Sequence, residues 1–178
     1  MVYGGIDEQK EAIREKARFL RSAAAMIPKI KPVMEKFDGK CYNCKLDNAI
    51  KELTKDDDEI RLYASTSCGG WYEIRSFRRF GNNRETGLLS AYGTKDNRYM
   101  TDNKRRIFNN EKRLDAKKAI ALLNESYSEL MKKAADFDRA AEELDTFLLR
   151  IDDLKKTLAA VKNSVPYEVL DICGVNRY

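Results

Sequence analysis

Cys41-Tyr42-Asn43-Cys44 is the first stretch of this 178-residue chain whose residue types and spacing could do chemistry. Two thiols three residues apart can share a metal ion or form a redox pair. A structural zinc site of four thiolates usually joins two such close pairs. Here the other two cysteines, Cys68 and Cys173, are single and 105 residues apart. A thioredoxin-type pair needs a helix opening at its first cysteine inside a parallel α/β pattern. A short helix is expected after Cys44, but no parallel α/β pattern surrounds it. The expectation is ordinary thiols in a reducing compartment, with no metal and no cofactor.

The chain contains no histidine. That removes the usual general base near neutral pH, any Ser-His or Cys-His pair, and every histidine-containing zinc site. The carboxylates do not converge. Asp56-Asp57-Asp58-Glu59 is a charge run of the kind found in solvated turns. Asp96, Asn97, Asp102 and Asn103 lie close together but lack the fixed spacing and glycine of a calcium loop. Gly69-Gly70 has neither the lysine nor the following helix of a phosphate-binding loop. No catalytic residue is named, and a non-enzymatic protein is expected.

The basic residues are another matter. The formal charge of +5 is unevenly spread. Residues 1–74 carry 13 Lys/Arg against 13 Asp/Glu, residues 75–118 carry 13 against 5, and residues 119–178 carry 8 against 11, so the excess of +8 lies in the middle. Arg75, Arg78, Arg79 and Arg84 fall in one part of it, and Lys104, Arg105 and Arg106 in another, with Phe77, Phe80, Tyr92, Tyr99 and Phe108 interleaved. Cations neutralise phosphates and release counterions, while exposed aromatic rings stack on unpaired bases. Arg75, Phe77, Arg78, Arg79, Arg84, Lys104, Arg105 and Arg106 are therefore the candidate polyanion-binding residues. The competing reading puts Phe77 and Phe80 in the core, with the arginines serving solubility or binding the acidic helix. No recognised nucleic-acid-binding motif accompanies them.

The elements that must position these residues follow from periodicity. Ile13, Ala17, Leu20, Ala24, Ile27, Ile30, Met34 and Phe37 recur every three or four residues and predict a helix over 6–37. Asp7 is its expected N-cap and Gly39 its stop. Pro28 and Pro32 predict a bend or break near 26–31. Residues 40–54 suggest an extended piece and a short helix burying Leu46, Ile50 and Leu53. Residues 59–80 alternate polar and apolar on either side of Gly69-Gly70, the pattern of a β-hairpin. Residues 86–94 and 97–101 are candidates for a third strand, because a lone hairpin is marginal in water.

From about residue 110, capped by Asn109 or Asn110, a long helix is expected to run to Pro166. Its seam passes through Ile120, Leu123, Tyr127, Leu130, Ala134, Phe137, Ala141, Leu144, Leu148 and Ile151 in steps of three and four. It continues through Leu154, Leu158, Val161 and Val165. Two successive threes at 148, 151 and 154 form a stammer, which rotates the seam locally. Leu122, Met131, Phe147 and Leu149 add apolar surface beside it. A turn near 132–138, giving two shorter helices, is the alternative.

The expected fold class is α+β and mainly helical, with an N-terminal helix and a long C-terminal coiled-coil helix flanking a small antiparallel β module. The units are 1–39 for the first helix, 40–108 for the basic module, 109–165 for the long helix and 166–178 for a tail. Ile120, Leu123, Tyr127, Leu130, Phe137, Leu144, Leu148 and Ile151 are the expected oligomerisation residues, with a homodimer as the first partner. A monomeric bundle is the alternative way to hide them.

Nucleic acid or a nucleic-acid-handling protein is the second partner expected. The alternative function is a protein-interaction adaptor or a small inhibitor of another complex, such as a phage-encoded antagonist of host defence. No small-molecule substrate is expected. No apolar run approaches the roughly 18 residues of a membrane span, and no basic segment followed by an apolar one opens the chain. No membrane partner is expected, and the location expected is cytoplasmic.

Overall fold

A small antiparallel sheet lies between two long helices in the chain. The structure is a computed structural model that describes residues 4–66, 70–79, 84–92, 105–109 and 111–164, with side chains as far as residue 160. It is α+β and mainly helical, in the order α1 (Gly4–Lys36), α2 (Cys44–Glu52), β1 (Ile60–Thr66), β2 (Trp71–Arg78), β3 (Glu85–Tyr92) and α3 (Ala116–Ser164).

Helix α1 differs from expectation at two points. It begins at Gly4, so Asp7 lies in its first turn and does not cap it. It also runs through Pro28 and Pro32 without interruption. An interior proline costs a helix about 3 kcal/mol. Both rings are exposed, however, while Ile27, Ile30 and Met34 on the other side are completely buried. Each such side chain contributes roughly 1.5–3 kcal/mol on burial, so the packed face outweighs the two missing backbone donors. The helix stops where the sequence predicts, at Gly39, whose φ of 65° is left-handed.

Helix α2 is capped by Asn43, whose side-chain oxygen accepts the Lys45 N–H at 3.0 Å. Leu46 and Ile50 are buried, as their spacing predicts. The three strands form an antiparallel meander in the order β1-β2-β3. The alternation expected over 59–80 is present. Ile60, Leu62 and Ala64 of β1 share the buried face with Tyr72, Ile74 and Ser76 of β2. The third strand read at 86–94 is β3; the candidate at 97–101, like Gly69, lies outside the described residues. A bulge opposite Ile74 and Arg75 inserts Leu88, so Leu88 and Leu89 are both buried.

Buried Thr54 ties α2 to the sheet. Its hydroxyl donates to the Lys51 carbonyl at 3.3 Å and accepts the Leu62 N–H at 2.9 Å. That hydrogen bond occupies part of the outer edge of β1.

The long helix starts at Ala116, six residues later than the sequence suggests. Residues 105–109 and 111–115 pair instead: Arg106 bridges Tyr92, Phe108 bridges Leu114, and Arg113 bridges Cys41. Asn109 caps no helix. Its side-chain oxygen accepts the N–H groups of Glu111 and Arg113, closing a turn with Lys112 at φ 60°. Asp115 takes the capping role, accepting the Lys118 N–H at 3.1 Å. There is no turn at 132–138; α3 is a single helix of 49 residues, about 74 Å at ~1.5 Å per residue.

Helix α1 lies antiparallel along α3. Lys10 and Arg14 both reach Asp145, at 2.7 and 2.8 Å, Arg21 pairs with Asp138, and Lys16 sits 4.7 Å from the centre of the Phe137 ring. Between these charged flanks the apolar faces meet. Leu123, Leu130, Ala134 and Ala141 are buried, and Ile120 and Phe137 pack against the same core. The first helix of the same chain therefore covers the central part of the seam assigned above to oligomerisation. Tyr127 is exposed, and Leu144, Leu148 and Ile151 are half-buried. Among the described residues, no helix is long and apolar enough to cross a membrane.

Candidate interaction surface

The meander buries one face against the helices and leaves the other to solvent. Register places Arg61 and Tyr63 of β1, Trp71, Glu73, Arg75 and Phe77 of β2, and Glu85, Ser90 and Tyr92 of β3 on that open face. Its aromatics come in two pairs. Tyr63 meets Phe77 edge-on with ring centres 6.3 Å apart, and Trp71 tilts over Tyr92 at 4.5 Å. Lys51 of α2 reaches over the Tyr63 ring, 5.0 Å from its centre.

The arginines read together in sequence are separated by the strand alternation and by the loop after β2. Arg75 alone points to the open face with Phe77. There Glu73 at 2.9 Å and Glu85 at 3.3 Å flank its guanidinium, and the Glu73 hydrogen bond holds the Arg75 pKa above its usual value. Arg78 and Arg84 turn the other way, to Glu15 of α1, at 3.2 and 3.7 Å, and Arg84 also donates to the Ala12 carbonyl. Arg79 binds Asp58 and the Asp57 carbonyl. Arg78 and Arg84 therefore tie the sheet to α1, and Arg79 ties it to the α2–β1 turn, while Arg75 is held within the sheet.

The second half of the basic cluster is arranged differently. Arg105 is exposed and Arg106 half-buried, bridging Tyr92 beside Trp71. Among the described residues neither has an ion-pair partner; Lys104 lies outside them. Lys112 and Lys117, exposed around the start of α3, continue the patch. Arg113 is paired with Glu111 at 2.9 Å and Lys118 with Asp115 at 3.1 Å. Trp71 was not among the residues singled out in sequence. Its alternation with Glu73 and Arg75 places it on the open face, but its pairing with Tyr92 depends on the β2–β3 register.

The thiols stand apart from this surface. Cys41 and Cys44 are both exposed and free, with Cys44 opening α2. Cys68 and Cys173 lie outside the described residues, and among those described no three Cys, Asp or Glu side chains are grouped to hold a metal ion. Behind Cys44, the Tyr42 hydroxyl donates to Asp47 at 2.6 Å, and burial followed by that hydrogen bond raises the Tyr42 pKa. Tyr72 is buried completely, and desolvation, followed by the charge of Asp47, raises its pKa; its hydroxyl meets no partner at hydrogen-bond geometry among the described residues.

A shallow groove of about 350 Å³ between α1 and β1–β2 is lined by Glu15, Arg18, Arg21, Glu59 and Arg78, among others. Glu15 is already paired to Arg78, and Arg21 to Asp138, so the groove presents mixed charge. Compared with known proteins, the chain matches no family model, no curated protein and no solved structure.

Proposed function

We propose that this chain is a non-enzymatic binding protein, cytoplasmic in location, that engages a single-stranded nucleic acid through the open face of its sheet. The observation that carries the reading is the Trp71–Tyr92 pair, with rings 4.5 Å apart, bordered by Arg106 and exposed Arg105. An aromatic platform beside guanidinium groups that have no ion-pair partner among the described residues suits bases that stack and phosphates that need neutralising. Arg75 and Phe77 sit on the same open face and extend the track. Arg78, Arg79 and Arg84 act as struts that hold it. The lack of histidine and the engagement of Glu15, Asp58, Glu73 and Glu85 with arginines support a role without catalysis.

Trp71 is the single tryptophan, so its fluorescence reports this surface directly. Titration with short RNA and DNA strands should change Trp71 emission, with an affinity that falls steeply as salt rises. Arg105→Glu together with Arg106→Glu should weaken it by about 10-fold or more. An emission unchanged at low salt, or a salt-independent affinity, rejects the reading.

A second reading, a protein-interaction adaptor or inhibitor, is favoured by the carboxylate partners of Arg75, Arg78, Arg79 and Arg84, which leave much of the basic excess neutralised. In that case the double Arg105/Arg106 variant would keep its partner, and nucleic acid would not compete.

A further inference from the structure

We propose that the distal part of α3 is a self-association surface and that a second copy of this chain covers it in antiparallel orientation. The proposal does not depend on what the sheet binds. Lys10 and Arg14 both reach Asp145, so the Gly4 end of α1 falls near residue 152 of α3, and the helix continues to Ser164. Phe147, Leu154 and Leu158 are 55, 69 and 48% exposed, and Ile151 is half-buried. Side chains spaced by four, three and four residues share one helical face, so these four form a continuous stripe.

This stripe continues the α1–α3 seam but does not coincide with it. After Leu148 two successive steps of three rotate the apolar face away from α1. Helix α1 ends near residue 152 and does not reach Leu154 or Leu158, and two features of the stripe select a second copy to cover it.

First, its spacing reads the same in both directions. About a two-fold axis between Asp152 and Asp153, Phe147 meets the partner's Leu158 and Ile151 meets the partner's Leu154, and each contact is repeated by symmetry. A self-complementary patch of this kind closes on a dimer and leaves nothing to propagate.

Second, the flanking charges choose the direction. In a parallel pair Arg150 would face the partner's Lys155, a like-charge contact repeated on both sides. In the antiparallel pair Arg150 faces the partner's Thr157, and Lys155 lies over the partner's Leu148, where its alkyl stem can pack. Both directions bury the four apolar residues, and the antiparallel one avoids the Arg150–Lys155 contact.

Sedimentation equilibrium of the full chain from about 1 µM to about 1 mM tests this directly. A monomer–dimer equilibrium is expected. Leu154→Glu should raise its dissociation constant at least about 10-fold by placing a charge in the apolar layer. Because Leu154 is exposed in the single chain, far-UV circular dichroism of that variant should match the parent. Arg150→Glu separates the two directions: it should leave an antiparallel dimer within about 3-fold, whereas in a parallel dimer it would face Lys155 and tighten association at least about 10-fold. A monomer throughout, a dimer indifferent to Leu154→Glu, or a tightening by Arg150→Glu overturns the proposal.

Discussion

The carboxylate of Asp38, just past the end of α1, accepts the backbone N–H of Ala116, the first residue of α3, at 2.9 Å. Residues 78 positions apart in sequence thereby finish one helix and begin the other. The Gly39 N–H donates to the Leu114 carbonyl at 2.9 Å beside it, and Asp115 caps the following N–H groups. Together they fix where the two long helices enter their shared interface.

Replacing Asp38 tests this junction. Asp38→Ala should lower unfolding free energy by about 1 kcal/mol, the typical loss when a helix start gives up a side-chain acceptor. Asp38→Asn, which keeps an oxygen, should recover most of it. Urea denaturation of the three proteins gives both differences.

The prolines of α1 offer a test in the opposite direction. Pro28 and Pro32 are exposed inside an unbroken helix, so Pro28→Ala restores a backbone donor without disturbing the buried face. It should raise stability by about 1–3 kcal/mol. Ile27→Ala, one residue away and completely buried, should lower it by about 2–5 kcal/mol. Equal effects from the two substitutions would contradict the assignment of faces.

Buried Tyr72 and half-buried Tyr42 should respond with opposite signs. Tyr72→Phe removes a hydroxyl that has no hydrogen-bond partner among the described residues, so stability should hold or rise by about 1 kcal/mol. Tyr42→Phe deprives Asp47 of its 2.6 Å donor within a buried site and should cost about 1–3 kcal/mol. Thermal melts of the two variants provide the comparison.

Asp57 supplies a pH dependence. Its carboxylate accepts the N–H groups of Ile60 and Glu59, each at 2.9 Å, and the Ile60 bond is the main cause of a pKa below the usual 3.8. A carboxyl depressed on folding stabilises the fold when ionised. Its contribution is complete above 3.8 and fades as pH falls through the lower folded value. Asp57→Asn should therefore be less stable than the parent near neutral pH, with the gap narrowing as pH falls below 3.8. A gap that widens in acid would show that folding does not lower the Asp57 pKa.

Much of this architecture is legible in the sequence because its signals are local. Steps of three and four put Leu123, Leu130 and Ala134 on one side of a helix whatever lies opposite, and Ile60, Leu62 and Ala64 alternate onto one face of a strand before any partner arrives. Gly39 stops α1 because a left-handed residue favours glycine. The start of α3 was less legible: Asn109 offers capping chemistry, but the bridge between Phe108 and Leu114 uses the intervening chain as a turn.

What the sequence alone determined is therefore the type of each element and the side of it that must be hidden, since backbone geometry repeats with a fixed period. Only the tertiary structure decided what hides it. Long-range packing laid α1 over the middle of the long seam, kept Pro28 and Pro32 inside a helix, and turned Arg78 and Arg84 toward Glu15 while Arg75 stayed on the open face. Those outcomes depend on residues far apart in the chain, whose meeting is set by the summed burial of whole faces and by no local pattern.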